Sequence, residues 1–303
     1  MLHQPSILHQ VMTETSTQTQ LKLGAHVSTA GGIDKAFERA AAIGANCMQI
    51  FSGSPRFWAR ADVSKYNTAE LVAAQKKYNV SPIFTHCLYL INLASEKPEL
   101  VVKSCDAIKY DLTFDAQISG GGVVVHLGSS QGRGWEPVRE QVAECLRDIM
   151  ANTPQNSRLL IENAASQKGK IGGSLAEIRW LLDEVGSPRL QWCFDTCHGF
   201  AAGHNLGAPN ANDEKLGAIE EIDRYHLWED LACIHVNDSR DPLASERDRH
   251  ANLGEGQIPS ADLKFFLNSP LVRSKPLILE VPGIDGEGPD SENMHRLQAL
   301  TQV

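Results

Sequence analysis

The chain has 303 residues, 42% of them hydrophobic, with 28 Lys and Arg against 37 Asp and Glu and a formal net charge of −9. A chain of this length holds two domains or one large barrel. So acidic a balance gives no global attraction to a polyanion, so a nucleic-acid partner would have to be drawn by local field rather than by net charge.

Residues 1–20 (MLHQPSILHQVMTETSTQTQ) are polar and show no hydrophobic period, which predicts a frayed or disordered N-terminal extension. They contain no Lys or Arg and no apolar core of signal-peptide length, so neither a secretory nor a mitochondrial address is expected, and a cytoplasmic location is. No apolar stretch approaches membrane-spanning length. The seven cysteines are odd in number and scattered, as in a reducing compartment with buried thiols rather than a disulfide framework.

From residue 21 onward short apolar runs alternate with helical segments. The first run, 22–26, reaches His26, and Ile33, Ala36, Phe37, Ala40, Ala41 and Ile43 then recur at helical spacing before Gly44. Further strands are predicted at 46–51, 81–86, 122–126, 158–162, 191–195, 231–236 and 276–280, with helices at 67–79, 98–118, 137–151, 174–185, 213–230, 260–268 and 290–301. Nearly continuous apolar runs of this kind are how the strands of a fully buried parallel sheet read. Eight βα units in this length predict a single (β/α)8 TIM barrel over 21–303, with its active site at the C-terminal ends of the strands. A doubly wound open sheet competes, but no G-x-G-x-x-G follows the first strand.

The residue that ends each run carries the functional signal. SPIFTH ends on His86, GVVVH on His126, RLLIE on Glu162, QWCFD on Asp195 and PLILE on Glu280, while LACIHV contains His235. Any one histidine is more often a packed or surface residue than a ligand, but a His or carboxylate at strand end after strand end describes an assembled site. Asp195 and His198, three residues apart, and Asp248 and His250, two apart in a charged loop, add ligand-like pairs. Imidazole nitrogen and carboxylate oxygen are the donors that zinc takes in catalytic sites. Cys197, between two of these residues and with no C-x-x-C nearby, reads as a packed thiol, and His26 as a structural or site-lining residue.

The segments GAHVSTAGG (24–32), HCLYLINLAS (86–95), DTCHGFAAGHNL (195–206), HVNDSRDPLASERDRHANLGEG (235–256) and LILEVPGIDGEGP (277–289) resemble the signature segments of the endonuclease IV family of abasic-site endonucleases. The resemblance runs from about residue 22 to the C-terminus and implies a TIM barrel with three zinc ions. It places His86 and His126 on the first, with Glu162 bridging to the second. Asp195, His235 and Glu280 complete the second, and His198, Asp248 and His250 hold the third. Three divalent ions would bring the charge to about −3.

The resemblance further implies cleavage 5′ of abasic sites in duplex DNA by a three-zinc mechanism with Glu162 at its catalytic centre. The products would be a 3′-hydroxyl and a 5′-deoxyribose phosphate, and trimming of blocked 3′ ends is implied as a second activity. Arg56, Tyr89 and Leu90 match the side chains that the family inserts at the lesion. A monomer associated with the nucleoid is the family expectation, with manganese an alternative at one site. The chain departs from the usual pattern at Cys87, Leu127, Ala164, Ala165, Gly199, His204 and Asn205, none of them a ligand position. Two other readings compete: a metal-dependent sugar isomerase or epimerase on the same architecture, and a protein that binds abasic DNA without cutting it.

Overall fold

The apolar runs of the sequence are strands, and they pair in parallel. In the computed structural model, which describes residues 20–208 and 216–302, the elements in chain order are β1 (Leu23–His26), α1 (Ile33–Ala42), β2 (Cys47–Phe51), α2 (Thr68–Tyr78), β3 (Ile83–His86), α3 (Pro98–Gln117), β4 (Gly122–Val125), α4 (Arg139–Ala151), β5 (Leu159–Glu162), α5 (Leu175–Val185), β6 (Leu190–Asp195), α6 (Thr196–Ala202), α7 (Ala218–Arg224), β7 (Leu231–Val236), β8 (Asp238–Ser239), β9 (His250–Ala251), α8 (Ser260–Leu267), α9 (Pro270–Arg273), β10 (Leu277–Leu279) and α10 (Ser291–Thr301). The barrel closes in the order β1-β10-β7-β6-β5-β4-β3-β2, and β8 and β9 form a separate antiparallel ribbon.

Strand side chains alternate with period two, and that period builds the barrel in two shells. One set of positions faces outward and packs under the helices, including Ala25, Met48, Ile50, Val123, Val125, Leu159, Ile161, Trp192, Phe194, Ile234 and Leu279, all buried. The other set faces inward. There Cys47, Phe84, Val124, Leu160, Cys193, Cys233 and Ile278 form a closed apolar layer of their own. Moving two residues along each strand from this layer reaches Gln49, His86, His126, Glu162, Asp195, His235 and Glu280. The polar residues therefore share one face with the plug beneath them, which keeps water from reaching the site from below.

Gly24 is the inward position of β1, and it cannot carry a side chain. A Cβ there would stand 2.5 Å from Cys47 Sγ and 2.6 Å from the Cys47 carbonyl oxygen. Its absence lets β1 pair in register with β2, Gly24 opposite Cys47 and His26 opposite Gln49.

The structure shortens some expected elements. His126 and Glu280 lie one residue beyond the ends of β4 and β10. The helix expected over 213–230 occupies only Ala218–Arg224 among the described residues, and 213–215 fall outside them, as do residues 1–19 of the expected N-terminal extension. The helix ends early because His226 takes a left-handed φ of 51°. That turn buries Leu227 and presents its carbonyl to the Trp192 indole N–H at 2.8 Å. Packing outweighs helical propensity there. The seven-residue helix α6, the short α9 and the β8–β9 ribbon have no counterpart among the predicted elements.

Gly24→Ala is expected to lower the melting temperature by about 4 °C or more, since overpacking of a filled core costs about 1–3 kcal/mol and the obstacle here is partly backbone. Thermal denaturation of the two proteins checks this, and an unchanged midpoint would contradict the close β1–β2 approach.

Candidate metal centre

The C-terminal ends of the strands bring five imidazoles and four carboxylates together. Glu162, fully buried at the end of β5, stands at the middle. Its Oε2 is 3.1 Å from His86 Nε2 and 3.1 Å from His126 Nε2, while its Oε1 is 3.0 Å from His235 Nδ1 and 3.3 Å from His198 Nδ1. His235 Nδ1 also faces Glu280 Oε2 at 3.1 Å and Asp195 Oδ2 at 3.9 Å. On the outer side His198 Nε2 lies 3.0 Å from Asp248 Oδ1 and 3.4 Å from His250 Nε2. Potential ligand atoms lie within 4.8 Å of one another in His86–His126–Glu162, in Glu162–Asp195–His235–Glu280 and in His198–Asp248–His250. The first two share Glu162, and the third shares no residue with either.

The proton positions of several rings follow from their neighbours. A carbonyl oxygen only accepts, so His86 Nδ1 donates to the Cys87 carbonyl at 2.7 Å, His198 Nδ1 to that of Asn163 at 3.1 Å and His250 Nδ1 to that of Glu280 at 3.2 Å. Each of these rings therefore turns its Nε2 into the site. His235 is held the other way round, with Nε2 donating to Gln49 Oε1 at 2.8 Å and Nδ1 facing the carboxylates. His198 and His250 thus bring their Nε2 atoms to 3.4 Å from each other beside Asp248. Two imidazole nitrogens and a carboxylate so placed fit a divalent cation, and outer hydrogen bonds of this type orient the ligands of metal sites.

Electrostatics agree with the donor geometry. Burial opposes ionisation of Glu162, but His126 and His235 beside it hold its pKa well below the carboxylate range. Glu280 is likewise held low against its burial by His235. Burial disfavours the charged form of His235, yet Glu280 and Glu162 raise its pKa well above the ordinary value; Asp195 and Asp248 do the same for buried His198. His126 differs, since burial takes it down to about 4 despite Glu162. The carboxylates thus demand positive charge, which protons or metal ions supply.

Several supporting residues escaped the sequence reading because amides and turn carboxylates carry no strand-end signal. Asn237, just after β7, donates through Nδ2 to Asp195 Oδ2 at 2.6 Å and accepts the Glu280 backbone N–H at 2.9 Å. Gln49 donates to Glu280 Oε1 at 2.5 Å. Asn163 accepts the Asp195 backbone N–H at 2.6 Å. Asp195 also caps α6, accepting the His198 backbone N–H at 2.8 Å, which aims that helix's imidazole into the site. Asp238 accepts backbone N–H groups from Ser239, Gly254, Gly256 and Ile258, at 2.7 Å for the first and 3.0 Å for the others, closing the loop that carries Asp248 and His250. The motif HVNDS therefore contained two of these supports, unassigned.

A cavity of about 350 Å³ opens above the cluster, with His26, His126, Asp248 and His250 in its wall. His26 lines the site as expected, its Nδ1 3.2 Å from Glu280 Oε1. Cys197 is buried, and burial pushes its thiol up to about 12, which suits a packed thiol. The departure at Gly199 has a packing reason, because a Cβ there would stand 2.5 Å from the Phe194 ring. Leu127, Ala164 and Ala165 are buried and apolar. His204 pairs with Glu221 at 2.6 Å.

Arg56, Tyr89 and Leu90 lie on adjacent loops, after β2 and after β3. Tyr89 lines the cavity, its ring 5.4 Å from that of Phe51 and 6.1 Å from that of His86. Arg56 is exposed on the loop after β2, and its side chain has no ion pair among the described residues. The two loops are joined where the Tyr89 N–H donates to the Pro55 carbonyl at 3.0 Å.

Comparison with known proteins is consistent with this arrangement. Residues 37–300 match the family model described as "Xylose isomerase-like TIM barrel". A relative from Halothermothrix orenii named "Probable endonuclease 4" is 37% identical, over 92% of this chain and 99% of its own length. The crystal structure of endonuclease IV from Thermus thermophilus superposes with a TM-score of 0.79 at 32% identity, covering 92% of this chain and 98% of that one. A D-tagatose 3-epimerase-like protein superposes at 0.68 with 17% identity, over 92% and 97%, and shares the fold alone.

Asn237→Ala is expected to weaken metal binding about 10- to 100-fold while leaving the barrel folded, since it frees Asp195 and the Glu280 backbone together. Competition against a chromophoric chelator reads this, and parental affinity would contradict the supporting role.

Proposed function

The chain belongs to the endonuclease IV family, within the xylose isomerase-like TIM barrels, and on that premise we propose that it cuts duplex DNA on the 5′ side of abasic sites with three zinc ions. The products are a 3′-hydroxyl and a 5′-deoxyribose phosphate. Blocked 3′ ends are a second substrate, as the resemblance implies. The observation that carries the reading is the three adjacent donor clusters, two of them sharing Glu162 and the third reaching it through His198 Nδ1 at 3.3 Å.

His86, His126 and Glu162 would hold one ion, Glu162, Asp195, His235 and Glu280 a second, and His198, Asp248 and His250 the third. Zinc bound there supplies Lewis-acid charge for the phosphate and lowers the pKa of water enough to give a nucleophile near neutral pH. Glu162 keeps two of the sites adjacent because it offers both oxygens and has no exposed surface to rotate into. Asn237 and Gln49 fix the carboxylates of Asp195 and Glu280, so their charge is in place before substrate arrives. The apolar layer two residues below keeps the site dry on one side, which strengthens these interactions.

Lesion choice falls to the mouth. An abasic nucleotide has lost stacking and pairing, so turning it out of the helix costs less than for an intact one. Tyr89 and Leu90 would enter the vacated stack and Arg56 the bent backbone, with an acidic chain docking through this local surface. The wider reading, again from the resemblance, is a monomeric domain acting in the cytoplasm at the nucleoid.

A sugar isomerase or epimerase shares the barrel, but the His198–Asp248–His250 cluster is surplus to a one- or two-metal sugar site. A protein that only bound abasic DNA would not need this ligand set.

Nicking of a duplex bearing one abasic analogue is therefore expected, and prolonged treatment with a chelator should abolish it. Glu162→Gln keeps the size of the side chain but replaces one anionic oxygen with an amide. Turnover should fall by several orders of magnitude, while binding of the abasic duplex stays within about tenfold. Near-parental turnover by folded Glu162→Gln protein would contradict the bridging role, and no nicking by the metal-loaded parent would contradict the nuclease reading.

A further inference from the structure

We propose that Phe57 is a stacking residue of the lesion-binding surface, taking the π-face of the base left unpaired opposite the abasic nucleotide. The inference rests on the nuclease reading and adds a specificity determinant to it.

Phe57 is the most exposed of the large apolar side chains among the described residues, at 66%, with Tyr89 second at 59%, and Leu90 beside Tyr89 is exposed as well. The three sit on loops tied together by the Tyr89 N–H to Pro55 carbonyl bond, two residues from Phe57. Their loops follow the successive strands β2 and β3, and Tyr89 lines the cavity. Exposed apolar surface gathered in one place beside a site marks a binding surface, whereas scattered single residues do not.

The loop presenting Phe57 is braced from behind. Arg60 Nη1 donates to the carbonyl of Ser54 at 3.1 Å and to that of Phe57 itself at 3.3 Å. The same guanidinium stands 3.9 Å from Asp111, a fully buried carboxylate on α3 that also accepts the Ser52 hydroxyl. Tyr66 closes the other side, its hydroxyl donating to the Ser52 carbonyl at 3.2 Å. A ring held outward on a fixed backbone loses little freedom on binding. Its neighbour Arg56 offers a guanidinium with no ion pair among the described residues, so the two side chains together present a flat apolar face beside a cation.

A lesion without a base leaves one base across the duplex without a partner. Every base has a π-face, so an aromatic ring takes any of the four, and a purine offers more surface than a pyrimidine. Tyr89 and Leu90 enter from one loop and Phe57 from the other.

The test compares the parent, Phe57→Ala and Phe57→Tyr on duplexes with an abasic analogue opposite A, G, C or T, and on one whose opposing nucleotide is abasic as well. Phe57→Ala should lower kcat/KM between about fivefold and a hundredfold through KM, most opposite purines, and Phe57→Tyr should restore it. On the doubly abasic duplex the parent and Phe57→Ala should agree within about twofold. An equal loss on every duplex, or no loss on any, overturns the stacking role alone. A metal-loaded parent that nicks none of the duplexes overturns the nuclease reading, and this inference with it.

Discussion

A carboxylate with no solvent exposure is costly to bury unless its charge is answered, and Glu162 is answered from four sides. His86, His126, His198 and His235 each present a nitrogen within 3.3 Å of it. No other residue belongs to two of the three donor clusters that make up the proposed nine-ligand set. Of the eight remaining ligands, Asp195 and His235 are buried beneath the cavity, and His86, His126, His198, Asp248, His250 and Glu280 line it.

What holds Glu162 there is the period of the strands. Leu160 lies two residues below it in the apolar plug, and the same spacing relates Phe84 to His86, Cys193 to Asp195 and Cys233 to His235. The plug makes the site's floor apolar, while amide side chains at the strand ends satisfy the carboxylates that the floor cannot. Asn237 and Gln49 do this directly, and Asn163 holds the Asp195 main chain. Loss of one such amide leaves a charged partner loosely held, with the barrel itself intact.

Much of this was legible in the sequence because it is local. A run such as GVVVH states its strand, its burial and its terminal ligand in five residues, and eight such runs state the barrel. The third donor cluster was legible for a different reason: Asp248 and His250 lie close together in a charged loop, though their meeting with His198 is a tertiary fact. The supports were not legible, since Asn237 and Gln49 act across strands 43 and 231 residues away from Glu280 in the chain. The helix expected over 213–230 failed for the same reason, its end being set by the demand of Trp192 for the Leu227 carbonyl. Phe57 gave no signal either, because exposure is not written in a single aromatic letter.

The number and arrangement of metal ions around Glu162 bear most directly on this account. Anomalous diffraction at the zinc edge from crystals of gently purified protein reads both at once. Three peaks are expected, two flanking the Glu162 carboxylate and a third beside His198, Asp248 and His250. A single peak, or none, in protein that still nicks abasic duplex would contradict it.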